Sequence, residues 1–295
     1  MNVDHPSEPV VVITGASSGI GRATALAYAD RGAHVVLAAR GEALLHEAAA
    51  ACEPLGATSV KVVPTDVCDP VAVERLLTDA RSRLGRVDVV VHAAMIMAYG
   101  SIEELPLDVY SAVVNTGLHG TVHVARSTLP IFRGQGQGSL VIVSSLLASV
   151  PVPGIGAYVT AKWGQLGLAH VLQLETRDAP DIRVITVAPG GVDTPIYRRA
   201  ANVEGRPGKP PPPVDSPEKV ASAVLRAVDG RRSRVSVGPL NPLVLFGFRF
   251  TPPLYARLVG PLYRNLAHGR KRIAPTMGNV FSPSRPEDGA GPGGP

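Results

Sequence analysis

Cysteine is nearly absent: Cys52 and Cys68 are the two in 295 residues, and they form no pattern. That excludes a disulfide framework and a cysteine-based zinc site, and it suits a reducing compartment. No metal is expected. Aromatic residues make up 4% of the chain, with a single Trp, and they do not interleave with basic residues as in a nucleic-acid reader. The formal charge of +5 is therefore read as a basic surface, with no nucleic-acid partner. No apolar run reaches the length of a membrane span. The opening residues, MNVDHPSEP, lack the hydrophobic region of a secretory signal. The expected location is cytoplasmic. Acidic residues also run out late in the chain: NPLVLFGFRFTPPLYARLVGPLYRNLAHGRKR, from Asn241 on, has none.

What the chain does have is a repeated alternation of β-branched apolar runs and Ala/Leu-rich helical segments. Forty-five per cent of its residues are hydrophobic, enough for one large core. Val10–Ile13 reads as a buried parallel strand. A helix from Arg22 to Arg31 closes at Gly32. His34–Ala39 is the second strand, followed by a helix from about Glu42 to Leu55, and Ser59–Pro64 is the third. A helix over Val71–Leu84 precedes the strand Val87–Val91. Leu105 to Thr128 reads as one long helix, and Ser139–Ser144 as the fifth strand. A helix running to about Thr176, the strand Ile182–Val187, the helix Pro217–Val228 and the short strand Val235–Val237 complete the series. Strands alternating with helices predict an α/β fold: a doubly wound parallel sheet of about seven strands with helices on both faces. The domain is expected to span 1–238, with an apolar, basic C-terminal extension over 239–281 and a disordered tail over 282–295.

Between the first strand and its helix lies Thr14-Gly15-Ala16-Ser17-Ser18-Gly19-Ile20-Gly21. Glycines at this point let backbone approach a pyrophosphate, and a helix N-terminus supplies N–H groups and the positive end of its dipole. A nucleotide site is the expectation. Arg40 stands just past the second strand, where an acidic residue would bind the ribose 2′-hydroxyl of NAD. An arginine suits a 2′-phosphate, so NADP(H) is favoured over NAD(H).

Tyr158 and Lys162 are four residues apart, and Ser145 precedes the tyrosine by thirteen. On a helix the first two share a face. An ammonium beside a phenol favours its ionised form, which makes the pair an acid/base candidate near neutral pH. Ser145 could hold a carbonyl or hydroxyl oxygen beside it. The Pro/Gly-rich segment 202–217 is either a lid over the substrate or a surface linker. The extension is read three ways: packed over the site, an oligomer contact, or a basic amphipathic segment on a membrane surface. Peripheral membrane association stays open.

Taken together, TGASSGIG at Thr14–Gly21, Asp66 after the third strand, Asn115, Ser145, Tyr158, Lys162 and the Pro189-Gly190…Thr194 turn resemble the short-chain dehydrogenase/reductases. The likeness covers about residues 9–238 and implies a Rossmann fold in a single domain. It implies a cofactor site of Gly15, Ser17, Ser18, Gly19, Ile20 and Gly21, with Asp66, Val67 and Ala94 nearby. Pro189, Gly190, Val192 and Thr194 would line the nicotinamide. By the same resemblance Tyr158 exchanges the proton, Lys162 binds the nicotinamide ribose and lowers the Tyr158 pKa, Ser145 orients the carbonyl, and Asn115 holds a relay water. Arg40 resembles the NADP-preferring branch. The implied activity interconverts a carbonyl and a secondary alcohol. Met95, Ile96, Met97 and the apolar extension suggest a steroid-, lipid- or polyketide-like substrate. A homodimer or homotetramer through the Asn115 and Tyr158 helices is implied as well. One departure stands out: the family's Asn-Asn-Ala-Gly is here His92-Ala93-Ala94-Met95, with only Ala94 kept. That departure supports an alternative, a nucleotide-binding regulator or scaffold with little catalysis.

Overall fold

The computed structural model describes residues 8–269 and 271–283. Seven strands form one parallel sheet: β1 (Val10–Thr14), β2 (His34–Ala39), β3 (Ser59–Pro64), β4 (Val89–His92), β5 (Gly138–Val143), β6 (Ile182–Pro189) and β7 (Arg234–Val237), in the order β3-β2-β1-β4-β5-β6-β7. The order reverses between β1 and β4. In a doubly wound sheet that reversal opens a crevice at the carboxyl edge, where ligands bind.

Both sheet faces are covered, so the strands need no polar alternation: every residue of β1, β4 and β5 is buried. Alternate residues serve opposite layers. Val11, Ile13, Val35 and Leu37 pack under α1 (Gly19–Ala29), α2 (Glu42–Cys52) and α7 (Pro217–Asp229). Val12, Val36, Leu140 and Ile142 pack under α3 (Pro70–Leu84), α5 (Gly120–Gln135) and α6 (Gly156–Glu175). Two caps follow the sequence rules. Asp69 accepts from Val71 and Ala72 N–H, and Ser216 accepts from Lys219 N–H.

Three of the differences from expectation have a local cause. Helix α1 begins at Gly19, not Arg22, because its first turn is made by the glycines themselves, which leave no periodic pattern. The segment read as one helix over 105–128 is instead α4 (Leu107–Val114), a π turn at Asn115–His119 and α5, which continues through Pro130. The second helix stops at Cys52, and a 3-10 turn, Glu53–Leu55, ends at Gly56 in the left-handed region. Neither the π turn nor the 3-10 turn changes side-chain periodicity enough to be read from composition.

The segment 202–217 is tied down at several points. Val214–Asp215 pairs with Gly191–Val192, and Gly208 bridges His268. The extension forms α8 (Asn241–Phe250) and α9 (Pro252–Ala267). Its start is fixed by buried Asn241, whose amide donates to the Val237 carbonyl and the Ser236 hydroxyl, both at 3.0 Å. Tyr255 donates to the Pro151 carbonyl at 2.8 Å, and Val259 and Tyr263 pack on a third core cluster around Tyr99 and Ile155.

Beyond α9 the chain returns as a strap. Thr276 and Asn202 exchange backbone bonds of 2.7 and 3.0 Å, Asn279 N–H donates to the Arg199 carbonyl at 2.9 Å, and Val280 is buried. The disorder expected of 282–295 concerns, from residue 284 on, positions outside the described residues. Gly278 lets the strap turn: its φ is +52°, and a Cβ there would lie 2.2 Å from the Arg199 carbonyl oxygen. Gly278→Ala should detach the strap while leaving the sheet intact. Hydrogen exchange should show lost protection at Asn279 and Asn202 with the β1, β4 and β5 amides unchanged; full protection at all of them would refute the anchoring.

Candidate active site

A cleft of about 830 Å³ runs along the carboxyl edge of the sheet. Its first wall is the turn between β1 and α1. Gly15, at φ +71°, presses against the segment that follows β4: a Cβ there would lie 2.7 Å from Ala94 N. Gly21 is pressed equally hard, with a Cβ position 2.2 Å from the Gly15 carbonyl oxygen. Ser18 is extended at the N-cap of α1, and its side chain makes no cap bond to that helix. The first N–H groups of α1 and the Ser17 and Ser18 side chains thus border the cleft as a donor set for a diphosphate.

Arg40, Asp66 and Val67 line the far end. The Arg40 guanidinium already has partners. It donates to the carbonyls of Asn279, at 2.6 Å, and Val280, at 3.0 Å. The strap therefore closes the end of the cleft where Arg40 stands, and Asn279 and Pro283 join its lining. Ala94 sits mid-cleft, and Pro189, Gly190, Val192 and Thr194 form the opposite side.

The β4 departure is absorbed by its neighbours. His92 is buried, and its Nδ1 lies 2.8 Å from the Thr14 hydroxyl, a brace between β4 and β1. Burial, with the Lys162 charge adding, pulls the His92 pKa down to about 3, so the ring is neutral and cannot serve as a base that cycles near pH 7. Met95 fills space that Gly117 leaves: a Cβ at Gly117 would lie 2.8 Å from both the Met95 sulfur and the Ala161 Cβ.

Ser145, Tyr158 and Lys162 come together at the cleft floor, all buried. Ser145 lies two residues past β5 and caps a short turn, accepting from Leu147 N–H at 3.1 Å. Lys162 donates to the Val143 carbonyl at 2.8 Å and to Gln165 Oε1 at 3.0 Å. Burial lowers its pKa to about 7. Its Nζ lies 5.6 Å from the Tyr158 ring centroid. The Tyr158 phenol is held well above the usual tyrosine value, by burial first and the nearby Tyr197 second, while a hydrogen bond with Ser145 opposes them. The expected depression of the phenol by Lys162 is not among these causes: the ammonium is itself buried, and two of its three donors are engaged elsewhere.

Every other predicted site residue borders this cleft, but Asn115 does not. It begins the π turn with its side chain exposed, and the cleft is lined at that turn by Thr116. The residue that reaches toward Lys162 from α6 is Gln165. Its amide nitrogen donates to the Thr121 hydroxyl at 2.8 Å and to the Gly117 carbonyl at 3.3 Å, while its oxygen accepts from Lys162. Only its spacing hinted at this: Gln165 follows Lys162 by one helical turn. Tyr197 and the walls from α8 and α9 were likewise not foreseen as named site residues.

Residues 9–204 match the family model described as short chain dehydrogenase. The chain belongs to the short-chain dehydrogenase/reductase family. That makes it an NAD(P)-binding oxidoreductase of the branch of enzymes that act on CH–OH donors. It is 32% identical over 219 residues to an uncharacterized oxidoreductase of Staphylococcus haemolyticus, covering 74% of this chain and 90% of that one. It is 35% identical over 227 residues to a glycine betaine reductase of Emericella nidulans, covering 75% of this chain but only 18% of that far longer protein. Among solved structures, an alcohol dehydrogenase from Thermococcus sibiricus complexed with 5-hydroxy-NADP superposes with a TM-score of 0.67 at 27% identity, covering 78% of this chain and 96% of that one. Among the described residues no helix is long and apolar enough to cross a membrane.

Gln165→Leu should expose the role of this amide through pH. The substitution removes one acceptor from a buried ammonium, a loss of about 1.5–3 kcal/mol while the lysine is charged. The folded-state pKa of Lys162 lies below its unfolded value, so the penalty is present below pH 7 and fades as the proton leaves above it. Thermal melts should show the variant below wild type throughout, since the bonds to Thr121 and Gly117 are lost at every pH, with a clearly wider gap at pH 6 than at pH 9. A pH-independent gap would mean that Gln165 supports only packing.

Proposed function

We propose that the chain interconverts apolar ketones and secondary alcohols with NADP(H), using Tyr158 as the acid/base. One observation carries this reading: the buried Ser145–Tyr158–Lys162 group stands where the diphosphate-cradling half of the cleft meets a half walled by Leu243, Leu254, Leu258, Tyr255 and Tyr263. A donor-rich helix N-terminus at one wall and a guanidinium at the far end fit a phosphorylated dinucleotide. When bound, that cofactor supplies or accepts the hydride. The rest is the work of the chain.

Ser145 accepts a bond from Leu147 N–H, and its own O–H, which meets Tyr158 in this structure, can turn to orient a carbonyl oxygen. Tyr158, kept protonated by burial, donates to that oxygen as negative charge develops on it. The third N–H of Lys162 remains for a ribose hydroxyl, and Gln165 holds the ammonium in place. Arg40 reads the 2′-phosphate, which must compete with the Asn279 and Val280 carbonyls for its guanidinium. Apolar walls select a substrate with a large hydrophobic body. Self-association through α4 and α6 fits the exposed Leu107, Val171 and Leu174 on those helices.

Tyr158→Phe should lower kcat on apolar ketones by about three orders of magnitude while NADPH affinity stays within a few-fold. Undiminished turnover would remove Tyr158 from the mechanism. Cofactor choice is tested by fluorescence titration. NADPH should bind wild type more tightly than NADH, and Arg40→Ala should weaken NADPH by about 10- to 100-fold with little change for NADH. Equal affinities in the wild type would overturn the assignment of Arg40.

A further inference from the structure

Six large apolar side chains stand exposed along the extension: Leu243, Phe246 and Phe250 on α8, and Leu254, Leu258 and Leu262 on α9, each 52–65% accessible. Their spacing of three or four residues sets them in a row on each helix. Such a contiguous apolar ridge is rarely left on a free surface. Five of the six also line the mouth of the cleft that leads down to Tyr158.

The charge beside the ridge is of one sign. Arg249 and Arg257 each follow a ridge residue by three positions, and Arg264 lies two turns beyond Arg257, so the guanidinium groups border the row without interrupting it. All three are exposed, as are Lys271 and Arg272. Among the described residues none of these arginines has a carboxylate partner. No Asp or Glu occurs between Asp229 and Glu287 to supply one locally.

Two occupants are disfavoured by this arrangement. A second copy seated on the ridge by a two-fold axis would set one arginine-bordered patch against another of the same sign. A folded protein seated there would also stop the cleft. An anionic lipid surface has neither fault: it offers negative headgroups to the arginines, apolar volume to the ridge, and a route by which a hydrophobic molecule reaches the cleft. We propose that α8 and α9 dock the protein on anionic membrane surfaces, with the mouth of the cleft turned toward the lipid. Only the route for substrate rests on the activity proposed above; the docking itself does not.

The test is co-sedimentation of the full chain with sucrose-loaded vesicles, of phosphatidylcholine alone or mixed with phosphatidylserine. Partitioning onto the mixed vesicles should exceed that onto neutral ones by at least about 10-fold and should fall in high salt. The double variant R257E/R264E should lower it by about 30-fold or more. F250D should lower it too. Unchanged melting curves for both variants keep misfolding from explaining the losses, and no step requires turnover. Absent partitioning, or equal partitioning onto neutral vesicles, would overturn the proposal. So would ultracentrifugation showing that the chain self-associates and that F250D turns it into a monomer, since the ridge would then be an interface between copies.

Discussion

A positive charge held out of water is the constraint that the cleft is built around. Lys162 is 3% exposed. Burying an ammonium without partners would drive off its proton or unfold its surroundings. Its acceptors come from different elements, a carbonyl at the end of β5 and an amide one turn along α6. Gln165 in turn is gripped by Thr121 and the Gly117 carbonyl. One ion therefore fixes the relative placement of sheet, α6 and the π turn, and the same desolvation sets the protonation of Tyr158 and His92. What makes the site reactive also makes it rigid, because loosening any partner leaves charge stranded.

Close packing at the carboxyl edge sets the second condition. The turn after β1 can lie against Ala93 and Ala94 only because residue 15 has no side chain. Met95 is tolerated because residue 117 has none. Met95 and Gly117 thus make sense only as a pair. The Thr14–His92 contact shows the same give and take between strands: a histidine kept neutral by burial acts as a hydrogen-bonding spacer.

The parts of this arrangement that were legible in the sequence share a cause. Strand β3 was read to the residue because β-branched runs bounded by turns have few alternative folds. The glycine turn and the Tyr158–Lys162 pair were legible because backbone strain and helical spacing tie specific residue types to specific offsets. Asn115 stands exposed at the start of a π turn, and such a turn shifts which residue faces inward without altering composition. Gln165 could not be told from a surface glutamine, since its partners Gly117 and Thr121 lie more than forty positions away. The contacts of Arg40 were still less accessible, because backbone carbonyls carry no residue-type signature.

The strap joins residues far apart in sequence: Arg40 meets carbonyls 239 and 240 positions later. Such a contact is among the last a growing polypeptide can make. While the chain is still being synthesised, β1, α1 and β2 can fold with the rest of the sheet and yet leave the Arg40 end of the cleft open. The end wall is thus finished only after Asn279 and Val280 have emerged, long after the rest of the cleft has been made.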